Sequence, residues 1–336
     1  MGYKILWPMM RWPDDRHIEL DAVGPDHDAI FANRYSEVTD KQWAEADVVV
    51  SAPDIPPEFR AKLEKCRIFI TPKVGFDNID LAAWGALGIP VSNVPDYGTM
   101  EVADHAIALM MSLMKGITFH TRELKDDIKG NWRPALNPYG RRLSDCTFGL
   151  LGMGRIGTAT ALRAKAFGMN VVFFDPYLPN GADLAVGVTR LNSLAELMAA
   201  SDVLSVHVPL SDETEKMLNA DAFKHARAGM IVINSARGPI IDLDALHHAL
   251  KNDQIQAAGL DVLPVEPADP EHPLLKAWTN DEEWIAHRLL ITPHSAFYTP
   301  ESMRDMRAKG IHVAIEYLDN GRLQNCVNSE FLPGSY

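Results

Sequence analysis

The run Phe148-Gly-Leu-Leu-Gly-Met-Gly-Arg-Ile-Gly157 constrains this chain more than any other. Gly152, Gly154 and Gly157 form a G-x-G-x-x-G spacing, a weak signal alone because any Gly-rich turn can produce it by chance. Context gives it force. An apolar run that reads as a buried strand stops at Gly152, and a helix-compatible stretch, 155–167, follows. A second apolar run, 171–174, then ends in Asp175, 18 residues beyond Gly157. Gly152 permits the tight turn, Gly154 lets a pyrophosphate approach the backbone, and Gly157 lets the helix pack close on the sheet. The N–H groups of Arg155, Ile156 and Gly157, at the positive end of the helix dipole, would face the phosphates. Asp175 would accept hydrogen bonds from ribose hydroxyls and repel a 2′-phosphate, and Pro176, Tyr177 and Leu178 bring no cation. The motif predicts an NAD site rather than an NADP site.

Around it, short apolar runs alternate with helix-like stretches, the pattern of parallel sheets covered by helices. Strand candidates 4–7, 48–51, 68–71 and 91–93 make one αβ unit. Candidates 148–151, 171–174, 203–206, 230–234, 257–260 and 289–291 make a second, a doubly wound dinucleotide-binding sheet. Between them, apolar positions from Val102 to Ile117 recur at helical period, so 99–116 reads as a core helix. Thr299 as N-cap, Pro300 at the first turn and Gly321 just past the end bound a last helix. Too little chain follows it for another domain. It would return to the first unit, giving a discontinuous domain of 1–98 and 299–336 around a dinucleotide domain of 99–298.

A chain of 336 residues, 47% hydrophobic and 23% charged, is long enough for two domains and ordinary for a globular protein. A net charge of −13 without a dense basic run argues against a nucleic-acid partner. Cys66, Cys146 and Cys326 are far apart and odd in number, which suits free thiols, and none has metal-ligand spacing, so no metal is expected. No apolar stretch is long enough to span a bilayer, and the first residues lack a signal-peptide pattern. A cytoplasmic protein without a membrane partner is the expectation.

Three residues at strand ends of the second unit carry chemistry. Arg237 follows 230–234, Glu266 follows 257–260, and His294 follows 289–291. Ligands of open α/β sheets sit outside the carboxyl ends of the strands, so the three would converge beside a nicotinamide. Together they suit hydride transfer at a carbon bearing a hydroxyl. His294 would exchange the hydroxyl proton, Glu266 would orient the imidazole and favour its protonated form, and Arg237 would bind a substrate carboxylate bidentately.

Seven ordered segments then resemble the D-isomer-specific 2-hydroxyacid dehydrogenases over most of the chain. They are Val74-Gly-Phe-Asp-Asn-Ile-Asp80, Asn93-Val-Pro95 with Thr99-Met-Glu-Val-Ala-Asp104, the 152–157 glycines, Val206-His-Val-Pro-Leu210, 234–238, 259–262 with Glu266-Pro267, and Thr292-Pro-His-Ser295. The resemblance implies a Rossmann dinucleotide-binding domain plus a flavodoxin-like substrate domain with a cleft between, NAD as cofactor, and a homodimer. It implies that Arg237, Glu266 and His294 are catalytic and that the backbone at Val74 and Gly75 holds the substrate carboxylate. It also implies that His207, Val208 and Pro209 line an adenine pocket, with Thr214, Ser235, Ala236 and Asp261 along the cofactor. Asn93-Val-Pro-Asp-Tyr97, Thr292-Pro-His-Ser-Ala-Phe-Tyr298 and the stretch 277–288 resemble the subgroup of the C-terminal binding proteins. In that stretch Trp278, Trp284 and Arg288 would either cover the active site or pack on the surface as a helical insertion.

Lys73 departs from the family, where a small residue commonly stands, and a cation there could meet a second anionic group of a substrate. The expected activity is NAD(H)-dependent reduction of a small 2-oxo acid, of the glyoxylate or hydroxypyruvate kind. A rival of another class is an NADH-sensing corepressor module of the C-terminal binding protein kind. Phosphite- or phosphoglycerate-oxidising relatives share the catalytic trio. Glu266 speaks against formate oxidation, because the formate enzymes carry Gln at that position.

Overall fold

The computed structural model describes residues 2–10, 16–133, 137 and 140–334. The chain divides into two compact units, Met1–Gly98 with Tyr298–Tyr336, and Thr99–Phe297.

In the first unit, β1 (Lys4–Trp7), β2 (Asp28–Phe31), β3 (Val48–Val50), β4 (Ile68–Thr71) and β5 (Val91–Asn93) form a wholly parallel sheet in the order β2-β1-β3-β4-β5. That is the flavodoxin-like order. Strands buried on both faces read as unbroken apolar runs, as Val48-Val-Val50 does. Leu6, Val49, Phe69 and Val91 pack into one core, and Ile5, Val48, Val50, Ile68 and Ile70 into the other. The second face is covered by the helix Pro300–Asn320, whose Ile311, Ala314 and Leu318 join that core. Thr299 and Ser302 form a reciprocal cap at its start, and Gly321 ends it at φ 69°. Arg307 on this helix is buried in a two-pronged pair with Glu19, at 2.6 and 2.5 Å.

In the second unit, β6 (Thr147–Leu151), β7 (Asn170–Phe174), β8 (Thr189–Arg190), β9 (Val203–Val206), β10 (Met230–Asn234), β11 (Ile255–Leu260) and β12 (Leu289–Ile291) lie in the order β12-β11-β10-β9-β6-β7-β8, all parallel. Order reverses beside β6, so its carboxyl end is the topological switch point. Helices Thr99–Met114 and Arg155–Ala166 cover one face through Met110, Leu113, Ala161 and Ala164. Helices Leu194–Ala200, Leu243–Lys251 and Pro273–Thr279 cover the other through Leu197, Leu246, Leu250 and Leu274. The second unit has the Rossmann architecture, and the first is a separate parallel α/β unit.

Two strands escape the sequence reading. β2 is a four-residue strand that opens with an exposed Asp28, and β8 has only two residues. The helix expected over 99–116 stops at Met114. Gly116 takes a left-handed conformation, and Ile117, expected in the core stripe, is 55% exposed at the start of a separate helix, Ile117–Asp126. Among the described residues no single helix is long and apolar enough to cross a membrane, although these two together have the length and composition to do so across a 51° bend. Seven residues of the first are buried.

Candidate functional site

The glycines of the switch point each answer a steric demand. Gly152 sits at φ 87°, and a Cβ there would lie 2.7 Å from Val208 Cγ1. A Cβ on Gly157 would lie 2.4 Å from the Gly152 carbonyl oxygen, so only glycine lets the helix approach β6 this closely. At Gly154 the reverse holds, because a Cβ would meet nothing within 4 Å. Gly154 is the N-cap of Arg155–Ala166, and no side chain caps that terminus. Open space at an uncapped helix N-terminus is what a pyrophosphate requires.

Asp175 follows β7 directly, with its carboxylate fixed. Oδ2 accepts from the Met153 N–H and Oδ1 from the Tyr177 N–H, both at 3.0 Å. Arg190 on β8 is a cation that the residues next to Asp175 did not reveal. Its guanidinium lies 5.1 Å from the Phe173 ring centroid and donates to the carbonyls of Asp175, Leu178 and Pro179. The Tyr177 hydroxyl donates to Glu213, which joins the loop after β7 to the loop after β9.

His207, Val208 and Pro209 follow β9. The His207 N–H donates to Leu151 O at 2.7 Å, and Ser205 Oγ lies 2.9 Å from its Nε2. Burial of the ring pushes its pKa down to about 3, so the imidazole is neutral. Thr214 Oγ1 donates to Pro209 O at 2.6 Å and accepts from the Ser211 N–H, so this hydroxyl closes its own loop. After β10, the Asn234 amide accepts from the Ala236 N–H and donates to Arg237 O. Ser235 Oγ, in the same turn, is buried with no hydrogen-bond partner. An orphaned hydroxyl after β10 and an open glycine cradle after β6, with β9 between the two strands, fit a dinucleotide.

Glu266 and His294 meet beyond β11 and β12, with His294 Nδ1 2.7 Å from Glu266 Oε2. The other Glu266 oxygen accepts from the Leu263 N–H at 3.0 Å. Burial acts to raise the Glu266 carboxyl. Its bonds from His294 and Leu263, with the Arg237 charge nearby, outweigh that and hold it below the usual carboxylate range. Arg237 follows β10, the strand beside β11, and its Nη1 donates to Ala236 O at 2.8 Å. Asp261, 2% exposed, anchors the turn that carries His294. Its carboxylate accepts from Thr292 Oγ1 and from the N–H groups of Ser295 and Ala296. Its carbonyl accepts from the His294 N–H at 2.8 Å. His105, which the sequence reading did not single out, lies 2.9 Å from Thr292 Oγ1.

Lys73, Val74 and Gly75 follow β4 in the first unit. Asn93 Nδ2 donates to Val74 O at 2.7 Å, and Lys73 Nζ reaches Asn78 Oδ1 at 2.5 Å. Trp278, Trp284 and Arg288 pack on the amino end of the second sheet. Arg288 donates to the carbonyls of Ile255, Gln256 and Trp284, and Trp278 to Leu289 O. Of the two alternatives for 277–288, the surface insertion is the one these contacts describe. Among the described residues, no group of three or more His, Cys, Asp or Glu is arranged to hold a metal ion.

Residues 107–296 match the family model of the D-isomer specific 2-hydroxyacid dehydrogenase NAD binding domain. C-terminal-binding protein 1 of Caenorhabditis elegans is 33% identical over 314 residues, 89% of this chain and 41% of that protein. D-3-phosphoglycerate dehydrogenase of Archaeoglobus fulgidus is 35% identical over 287 residues, 84% of this chain and 51% of that protein. The chain thus spans about half or less of these curated relatives. The crystal structure of an NADPH-dependent glyoxylate/hydroxypyruvate reductase from Sinorhizobium meliloti, with NADP and malonate, superposes with a TM-score of 0.80. It is 26% identical, and 97% of each chain is covered. The chain belongs to the D-isomer specific 2-hydroxyacid dehydrogenase family.

Proposed function

We propose that this protein is an NAD(H)-dependent oxidoreductase that reduces a small 2-oxo acid, such as glyoxylate or hydroxypyruvate, to its D-2-hydroxy acid. The observation that carries the reading is the 2.7 Å pair of His294 and Glu266, with Arg237 nearby, at the carboxyl ends of three adjacent strands. Bound at the 152–157 cradle, the cofactor supplies the hydride. Gly152, Gly154, Arg155, Ile156, Gly157, Asp175, His207, Val208, Pro209, Thr214, Ser235, Ala236 and Asp261 are the proposed cofactor residues. Because Nδ1 of His294 is engaged by Glu266, Nε2 is the atom that delivers a proton to the substrate oxygen. Arg237 pairs with the substrate carboxylate and polarises the adjacent carbonyl, a planar fork that lysine cannot copy. Lys73 and the backbone of Val74 and Gly75 are the proposed further substrate contacts. Asp175, fixed on both oxygens, favours ribose hydroxyls over a 2′-phosphate.

A homodimer is the proposed assembly. Ile117, Ile128 and Trp132 are 55, 63 and 74% exposed, and no residue of the helix Ile117–Asp126 is buried. Sedimentation should give about twice the chain mass, and Trp132→Glu should lower it.

The test is steady-state reduction of glyoxylate, hydroxypyruvate, pyruvate and 3-phosphohydroxypyruvate with NADH and with NADPH, plus phosphite oxidation with NAD⁺. Turnover below about 0.01 s⁻¹ across the panel, far under the usual enzyme range, removes the reading. The similarity to C-terminal-binding protein 1 favours a second one, an NADH-sensing interaction module. NADH binding without turnover would select it.

A further inference from the structure

Thr292 Oγ1 has a single proton, and it lies 2.6 Å from Asp261 Oδ1, an oxygen that as a carboxylate can only accept. Thr292 therefore donates to Asp261. His105 Nε2, 2.9 Å from the same Oγ1, must then be the donor to Thr292, so His105 carries its proton on Nε2. The chain continues from Asp261 to the N–H groups of Ser295 and Ala296, at 2.9 and 3.0 Å. Between Thr292 and Ser295 stands His294 at φ 52°. A non-glycine residue keeps a left-handed conformation only where its surroundings enforce it. The enforcing group is Asp261, whose side chain is 1% exposed and whose charge lies 3.6 Å from His105 Nε2. His105 comes from the helix Thr99–Met114, which is buried against β10 and β11 and gives the relay a rigid base.

We infer that His105 is a positioning residue. Acting through Thr292 and Asp261, it sets the 292–296 turn and so the angle at which His294 presents Nε2. The inference rests on the role proposed for His294.

The experiment compares His105→Ala, His105→Gln, Thr292→Val and Thr292→Ser with the wild type, using glyoxylate and NADH. Misplacing a proton donor by about 1 Å can cost 10²-fold, so kcat should fall about 10- to 100-fold in His105→Ala and Thr292→Val. NADH affinity, read by fluorescence titration, should stay within about threefold, and the acid–base midpoint of the kcat profile should move. Gln, which keeps a donor near the Nε2 position, and Ser, which keeps the hydroxyl, should each restore most of the loss. The double variant His105→Ala/Thr292→Val should be no slower than either single one, because both break one chain. Losses that multiply, or a His105→Ala enzyme with unchanged kcat and pH profile, overturn the inference. If the wild type turns over no 2-oxo acid, the proposed function has failed but the relay remains testable. NMR titration of the labelled His294 imidazole should then shift equally in His105→Ala and Thr292→Val, and no shift overturns it.

Discussion

The two ends of the seven-stranded sheet are built from the same strands to opposite rules. At the amino end, charges and backbone groups are closed off. Asp202, 3% exposed, accepts from the Thr147 N–H, Arg141 and Arg227, while Arg288 satisfies three carbonyls and pairs with Asp253 at 3.0 Å. At the carboxyl end the same sheet leaves an uncapped helix terminus, an orphaned Ser235 hydroxyl and a neutral His207 ring. Left-handed backbone does not distinguish the two ends, since Asp253 and His287 at the amino end share it with His294. A buried unsatisfied group is one that a bound ligand can compensate, so the contrast favours the carboxyl end as the proposed cofactor and substrate site.

Substitution at each end should therefore fail differently. His294→Asn should lower kcat by about 10²–10⁴-fold, the usual worth of a general acid, while NADH binding and thermal stability change little. An equal loss of cofactor affinity would break the contrast. Asp202→Ala should do the reverse. Its partners Arg141 and Arg227 are part-exposed, so removing the buried carboxylate should cost about 2–3 kcal/mol of stability, read by urea unfolding. The kcat per folded molecule should not move. Asp175→Ser is expected to be milder. Loss of a charged acceptor for the ribose should weaken NADH about 10-fold, or about 1.4 kcal/mol, and narrow the preference over NADPH. An unchanged NADH/NADPH ratio would place specificity elsewhere, with Arg190 as the nearest cation to examine.

Much of the carboxyl end was legible because its residues are dictated by local geometry. A glycine at φ 87°, a glycine against a carbonyl and an acid after a strand are spacings a sequence displays directly. The meeting of Glu266 with His294 needed strand adjacency, which the alternating pattern supplied. The amino end was not legible. Arg288 meets Ile255 and Gln256 from more than thirty residues away, and Asp202 meets Arg141 from 61 away. Such pairings have no period or spacing. His105 was hidden for a related reason: on an apolar helix it reads as a core histidine, and its partner Thr292 lies 187 residues on. β8 and β2 were missed because two to four residues beside a charged terminus carry too little apolar signal.

The smallest effect tests whether the carboxyl end really shelters a neutral ring. His207 is held at a pKa of about 3 by burial, against 6.5 for the free side chain. Its folded value is depressed, so the unfolded chain binds the extra proton. The stability it contributes is complete above about pH 6.5 and is lost as pH falls from there toward about 3. Between pH 7.5 and 5.5 that amounts to roughly 1 kcal/mol, measurable as a slope in urea-unfolding free energy. His207→Gln should flatten the slope. His247, lowered by burial and by His248, Lys251 and His272, acts with the same sign on a helix away from the cradle. His247→Gln should flatten the slope less, because that ring is displaced less far from the usual imidazole range. If the two variants flatten it equally, the enclosure of His207 is no tighter than that of a surface cluster. The carboxyl end would then owe its distinct chemistry to Glu266 and His294 rather than to a desolvated environment.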